Sequence, residues 1–263
     1  MSFEMFRLDG KIVAVIGAGS GIGEAVALAA AAQGALVACL DLNADNARAV
    51  TEKITLAGGQ AESGAMDLVD ETQVETGLTG IAERHGRLDG LVCTPAINVR
   101  KLILKYTLAE FDKVVNLNLR ANFATLMIAG RIMTAQKSGS IVLFSSIRSL
   151  VTEPGQSVYS MTKAGILQLA RTAATEWATQ GVRVNAVGPG VIETPLTAPI
   201  KNNPDWYNAY AMKNPMNRWG RPSEMAGPAV FLLSDAASYV TGTIIYADGG
   251  WLAADGRFTP PGM

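Results

Sequence analysis

Apolar residues fall in short dense blocks separated by longer stretches of helical period. Lys11–Ile16 is an apolar run rich in β-branched residues that stops at glycines, the pattern of a strand buried on both faces of a parallel sheet. Comparable runs follow at Ala35–Leu40, Leu88–Cys93, Ser140–Phe144, Val182–Val187 and Thr243–Tyr246, with a shorter strand leading to Asp67-Leu68. Between them the spacing predicts helices. An Ala-rich one runs from the first glycines to Gln33 and is stopped by Gly34, and another covers Ala44–Ala57 and ends at Gly58-Gly59. Others cover Glu71–His85, a long stretch from Thr107 to about Gln136, Gln156–Gln180 and Pro222–Leu233. Strands alternating with helices predict an α/β fold: a single-domain, doubly wound parallel sheet (a Rossmann fold) of about seven strands, with helices on both faces, over residues 1–263.

Residues 194–221 break the rhythm. They hold Pro195, Pro199, Pro204 and Pro215 together with Trp206, Tyr207, Tyr210 and Trp219. An insert of this length at the carboxyl end of a sheet reads as a substrate lid, with a surface excursion or a subunit contact as the rival. From Ala254 on, the chain is a polar tail rich in Pro and Gly.

The first strand runs into Gly17-Ala-Gly19-Ser20-Gly21-Ile22-Gly23, and the second ends at Asp41. Strand, glycine-rich turn, helix, strand and acid make a βαβ unit for a dinucleotide. Glycines let backbone N–H groups approach a pyrophosphate, and the helix N-terminus adds a favourable dipole. The spacing is G-x-x-x-G-x-G, from Gly17, Gly21 and Gly23, rather than G-x-G-x-x-G. A carboxylate at Asp41 accepts from ribose hydroxyls and repels a 2′-phosphate. Leu42, Asn43 and Ser20 offer no cation, so the expected cofactor is NAD. The alternative for Asp41 is a helix N-cap, a role Asn43 can fill as well.

Composition narrows the classes. The chain is 49% hydrophobic and 17% charged with a net charge of −1, and no basic run marks it for nucleic acid or an anionic membrane. No apolar stretch reads as a membrane span or signal peptide. Cys39 and Cys93 each sit in an apolar run, which fits a reducing cytoplasm. The one histidine, His85, lies at a helix end and reads as a solvated terminal residue, so neither a His-rich metal site nor a catalytic system with a choice of histidines is expected.

Tyr159 and Lys163 stand four apart on the helix after the fifth strand and share a face. A neighbouring ammonium lowers a phenol's pKa, which yields a proton donor and acceptor usable near neutral pH.

Taken together, Gly17-x-x-x-Gly21-x-Gly23, Asp67, Asn118, Ser146, Tyr159-x-x-x-Lys163, Asn185-Ala-Val-Gly-Pro189-Gly190 and Thr194 resemble the short-chain dehydrogenase/reductases, from about Leu8 to Gly250. The resemblance implies that Tyr159 is the general acid/base and that Lys163 lowers its pKa and holds the nicotinamide ribose. Ser146, rather than Ser145, bonds the substrate oxygen, and Asn118, rather than Asn116, completes a proton relay. It implies further cofactor contacts from Ile22, Leu42, Asp67 and Leu68, from Cys93 and Thr94, and from Pro189, Gly190, Ile192 and Thr194. It also implies a homotetramer.

Two positions depart from the family pattern. Cys93-Thr94-Pro95-Ala96 stands where Asn-Asn-Ala-Gly is usual, so backbone and Thr94 must substitute. Ile16 replaces a threonine that often braces the glycine turn. The expected reaction interconverts a secondary alcohol and a ketone. Arg148, two residues after Ser146, suggests a polar, sugar-like or anionic substrate, or else an ion pair with Glu153 or Glu193. Lys201 and Arg218 are further candidates to meet an anion. A 3-oxoacyl-thioester reductase and a non-catalytic NAD-binding sensor are the alternatives.

Overall fold

A computed structural model describes residues 3–254. The tail expected from Ala254 lies, beyond that residue, outside the described residues. Seven strands form one parallel sheet: β1 Ile12–Ile16, β2 Leu36–Asp41, β3 Gln60–Ala65, β4 Gly90–Cys93, β5 Gly139–Phe144, β6 Val182–Pro189 and β7 Ile244–Ala247. Their order is β3-β2-β1-β4-β5-β6-β7. The order reverses between β1 and β4, which opens a crevice at the carboxyl ends of the strands, where α/β sheets bind ligands.

The helices are α1 Gly21–Ala32, α2 Ala44–Leu56, α3 Glu71–His85, α4 Leu108–Val115, α5 Asn122–Ala135, α6 Ser157–Trp177, α7 Ala198–Lys201, α8 Pro204–Ala211 and α9 Pro222–Leu233. Alternation within each strand sends side chains to two cores. Val13, Val15, Val37, Cys39, Val92 and Val142 pack with Val26 and Ala30 of α1, Val50 and Ile54 of α2, and Ala229 of α9. Ala14, Ile16, Leu40, Leu91, Cys93, Ile141 and Leu143 pack on the other face with Leu78 of α3, Ala129 and Met133 of α5, and Ile166 and Ala170 of α6. No helix among the described residues is long and apolar enough to cross a membrane.

Two stretches depart from their sequence pattern. The long helix expected from Thr107 is interrupted by a π-helical turn, Asn116–Ala121, between α4 and α5. Residues 194–221 are largely helical, because Asn203 caps α8 and Pro204 occupies its first turn, where no N–H is needed. There Tyr207 stacks on Trp219 at 5.0 Å between ring centroids, and the indole Nε1 of Trp219 donates to the Tyr207 carbonyl at 2.9 Å. Tyr210 and Trp219 then pack against Ile147 and Trp251. His85 does end α3, but it is not simply solvated: its Nε2 lies 3.2 Å from Glu62.

Candidate active site

Two adjoining depressions lie at the carboxyl end of the sheet. The first, about 400 Å³, is walled by Gly17, Ser20, Gly21, Ile22, Gly23, Asp41, Leu42, Asp67, Leu68, Thr94 and Thr194, which gathers most of the residues assigned to the cofactor. Gly17 has a φ of +82°, and a Cβ at Gly23 would lie 2.0 Å from the Gly17 carbonyl oxygen, so no side chain fits at Gly23. Ser20 makes no side-chain capping bond at the start of α1, which leaves the first-turn N–H groups for an anion. The charged residues on this wall are Asp41 and Asp67. Asp41 also braces the turn: Oδ2 accepts from Gly19 N and Oδ1 from Asn43 N, each at 2.9 Å. Asn43, not Asp41, caps α2. Glycine cradle, uncapped helix terminus and acid at the strand end together fit a dinucleotide.

Two of the residues expected at the cofactor, Cys93 and Ile192, do not line this wall. Cys93 is buried in the core rather than on the cleft, and burial pushes its thiol up to about 12. Thr94 takes over the brace that Ile16 cannot make: its hydroxyl donates to the Ile16 carbonyl at 3.0 Å, beside the glycine turn. Ile192 is likewise buried, in the core and in a bridge to Gly220, away from this wall. Pro189 ends β6, and Gly190 lines the second depression.

The second depression is a cavity of about 420 Å³ whose walls include Ser146, Arg148, Tyr159 and Gly190. Ser146 is placed by the turn after β5, where its Oγ accepts from Arg148 N at 3.1 Å. Ser145 is turned away, its hydroxyl donating to the Lys163 carbonyl at 2.7 Å. Burial pushes the Tyr159 phenol up, while the bonded Ser146 hydroxyl and the charges of Arg148 and Arg100 pull against that rise. The lowering expected from Lys163 is not the operative influence. Its ammonium lies 5.6 Å from the Tyr159 ring centroid and donates to the Phe144 carbonyl at 2.8 Å. Burial draws Lys163 itself down to about 8. Asn118 sits in the π-turn, fully buried, and clasps the backbone of Ile97: Oδ1 accepts from Ile97 N at 2.9 Å and Nδ2 donates to Ile97 O at 2.8 Å. Nδ2 also reaches Thr162 Oγ1 at 3.3 Å.

Arg148 makes the ion pair weighed for it, with Glu153 at 2.6 Å rather than with Glu193, and lies 5.3 Å over the Trp251 ring. It nevertheless lines the cavity. Lys201 and Arg218 do not; they pair with Glu193 and Glu224.

Sequence reasoning missed Asn98, Arg100 and Gln156, which stand on the same wall. Arg100 bonds Glu153 at 2.7 Å and the Tyr210 hydroxyl at 3.1 Å, and lies 5.2 Å over Trp206. Asn98 Nδ2 donates to Gln156 Oε1 at 2.7 Å, and Gln156 Nε2 to Glu153 at 3.1 Å. Burial pushes Glu153 up, but bonds from Tyr210, Arg100 and Gln156 and the charge of Arg148 outweigh it and hold the carboxyl below its ordinary range. The usable signal for Arg100 was its place in the loop after β4, at the carboxyl end of a central strand.

A glycine-cradled cleft opening beside a Ser-Tyr-Lys constellation defines the class, and the comparisons agree. A family model described as enoyl-(acyl carrier protein) reductase matches residues 17–252. The 3-oxoacyl-(acyl-carrier-protein) reductase of Thermotoga maritima is 35% identical over 245 residues, covering 93% of this chain and 98% of the relative. The galactitol 2-dehydrogenase (L-tagatose-forming) of Cereibacter sphaeroides is 36% identical over 251 residues, covering 94% and 97%. A solved gluconate 5-dehydrogenase from Burkholderia cenocepacia, in complex with NADP and tartrate, superposes with a TM-score of 0.92 at 28% identity, over 95% of this chain and 99% of that one. The chain belongs to the short-chain dehydrogenase/reductase family, a family of oxidoreductases that use a nicotinamide cofactor.

Proposed function

We propose that this protein interconverts a secondary alcohol and a ketone on a polar, hydroxyl-bearing compound, with NAD as its cofactor. The observation that carries the reading is that Ser146 and Tyr159 share one cavity with Asn98, Arg100, Arg148 and Gln156. When bound, the nicotinamide supplies the hydride acceptor. Ser146 holds the substrate oxygen, and Tyr159 takes or returns the hydroxyl proton. The ammonium of Lys163 lies 5.6 Å from the Tyr159 ring, and its assigned work, with that of Asn118, is to hold the nicotinamide ribose and to relay the proton. The choice of NAD rests on the two carboxylates, Asp41 and Asp67, that are the charged groups on the dinucleotide wall. Residues 194–221 act as the lid: Leu196, Pro199, Ile200, Trp206 and Tyr210 supply one side of the substrate cavity. Exposed Phe123 and Met161 support assembly as a homotetramer through α5 and α6, to be tested by sedimentation.

The Thermotoga relative favours a second reading, reduction of a 3-oxoacyl thioester, and Leu196, Ile200 and Trp206 give the cavity an apolar side that an acyl chain could use. The test is absorbance at 340 nm with NAD or NADP across polyols, sugar acids and hydroxy acids, and with an acetoacetyl thioester and NADPH in the reverse direction. Oxidation with NAD that falls at least about 100-fold in Tyr159→Phe, with NADH binding retained, supports the first reading. Activity confined to the thioester replaces it with the second.

A further inference from the structure

Building on the proposed reaction, we infer that the substrate carries a single negative charge, a carboxylate, and that Arg100, Glu153 and Arg148 form the receptor that reads it. The charged residues on the wall of the substrate cavity are two, Arg100 and Arg148, and both are cations. Glu153 stands behind them and bonds each, at 2.7 Å and 2.6 Å, leaving one positive charge uncompensated. Its two carboxylate oxygens are already taken: one by Arg100, Tyr210 and Gln156, the other by Arg148.

The guanidinium groups are not used up in the same way. Each has five N–H donors. Arg148 spends one nitrogen, Nη2, on Glu153. Arg100 spends Nη1 on Glu153 and Tyr210. The guanidinium carbons lie over aromatic rings, Arg100 at 5.2 Å from Trp206 and Arg148 at 5.3 Å from Trp251, which hold the groups in place. Planar guanidinium with spare parallel donors is the geometry that takes a carboxylate by two bonds.

Glu153 therefore tunes charge. It cancels one of the two cations and keeps both oriented, so that a monoanion is matched. A neutral polyol of the same length leaves a desolvated cation without a partner.

The experiment compares D-gluconate with D-glucitol, an acid and a neutral polyol of the same carbon count, by kcat/KM with NAD in the wild type, Glu153→Gln and Arg100→Gln. Dissociation constants of both compounds are measured in parallel by calorimetry on the NAD-loaded proteins. We expect the wild type to favour the acid by about tenfold or more. Glu153→Gln widens that ratio, because a second positive charge is released. Arg100→Gln narrows it. A loss of packing alone lowers both substrates together and leaves the ratio unmoved, which overturns the inference, as does a wild type that favours the polyol. If neither compound is turned over, the proposed reaction on such alcohols fails, and the calorimetric ratios still decide the charge reading. If Glu153→Gln does not fold, as judged by its thermal transition, Arg100→Gln carries the test alone.

Discussion

Lys163 is nearly fully buried, 3% exposed, and its ammonium holds one carbonyl, that of Phe144. Burial lowers its pKa from the ordinary 10.5 to about 8. That difference is a cost of keeping the charge inside, about 3 kcal/mol at 1.36 kcal/mol per pH unit. Below pH 8 both folded and unfolded chains hold the proton, and the folded state bears the whole cost. Between pH 8 and 10.5 the unfolded chain keeps a proton that the folded chain has released. Stability therefore rises with pH through this window by up to about 3 kcal/mol. Lys163→Met removes the titration while keeping the volume. The wild type should gain on the variant as pH rises from 7.5 to 10.5, by roughly 6–12 °C in midpoint at about 2–4 °C per kcal/mol. Parallel thermal or urea unfolding of the two proteins at several pH values reads the difference, and other titrating groups cancel. A gap between the two that stays constant from pH 7.5 to 10.5 refutes the buried charge as a source of instability. With that cost goes a stability–activity exchange: the variant is expected to be stable at neutral pH and inactive.

Two further outcomes follow from the dinucleotide wall. Asp41→Ala should shift the NAD-to-NADP ratio of kcat/KM toward NADP by about 10- to 100-fold, as expected for losing a charged hydrogen bond of about 1.5–3 kcal/mol, and unchanged selectivity would remove Asp41 from the role. Thr94→Val deletes the hydroxyl that braces Ile16 and keeps the shape. A loss of about 1 kcal/mol should raise KM for NAD by about fivefold with kcat nearly unchanged, and an equal loss in both parameters would speak against a positioning role.

What could be read from the sequence was mostly local. Asp70 caps α3 and Gly86 ends it in the left-handed region, so Glu71–His85 is bounded by its own residues. Pro222–Leu233 is similarly announced by its first-turn proline. The glycine turn and the Tyr159–Lys163 pair show themselves because their spacing is fixed by one turn or one helix. The π-turn at Asn116–Ala121 has no such mark: an added residue in a helix leaves composition and polarity unchanged. Prolines in 194–221 suggested interruption, whereas Pro204 starts a helix. The bonds joining Arg100 to Glu153 and Tyr210 span 53 and 110 residues, and only the folded sheet brings those loops together. Cys93 lay in a strand pattern and beside the cleft loop at once. Core packing claimed its side chain, while Thr94, the next residue, lines the cleft.

The clasp of Asn118 on Ile97 has a practical bearing on mutagenesis. One amide fastens the loop after β4 to the helical layer, and the next few residues of that loop include Asn98 and Arg100. The same rivet thus ties the π-turn to the loop whose Asn98 and Arg100 wall the second cavity. If the proposed reaction holds, replacing Asn118 loosens that wall as well as any proton relay, so a fall in rate in such a variant does not report proton transfer alone.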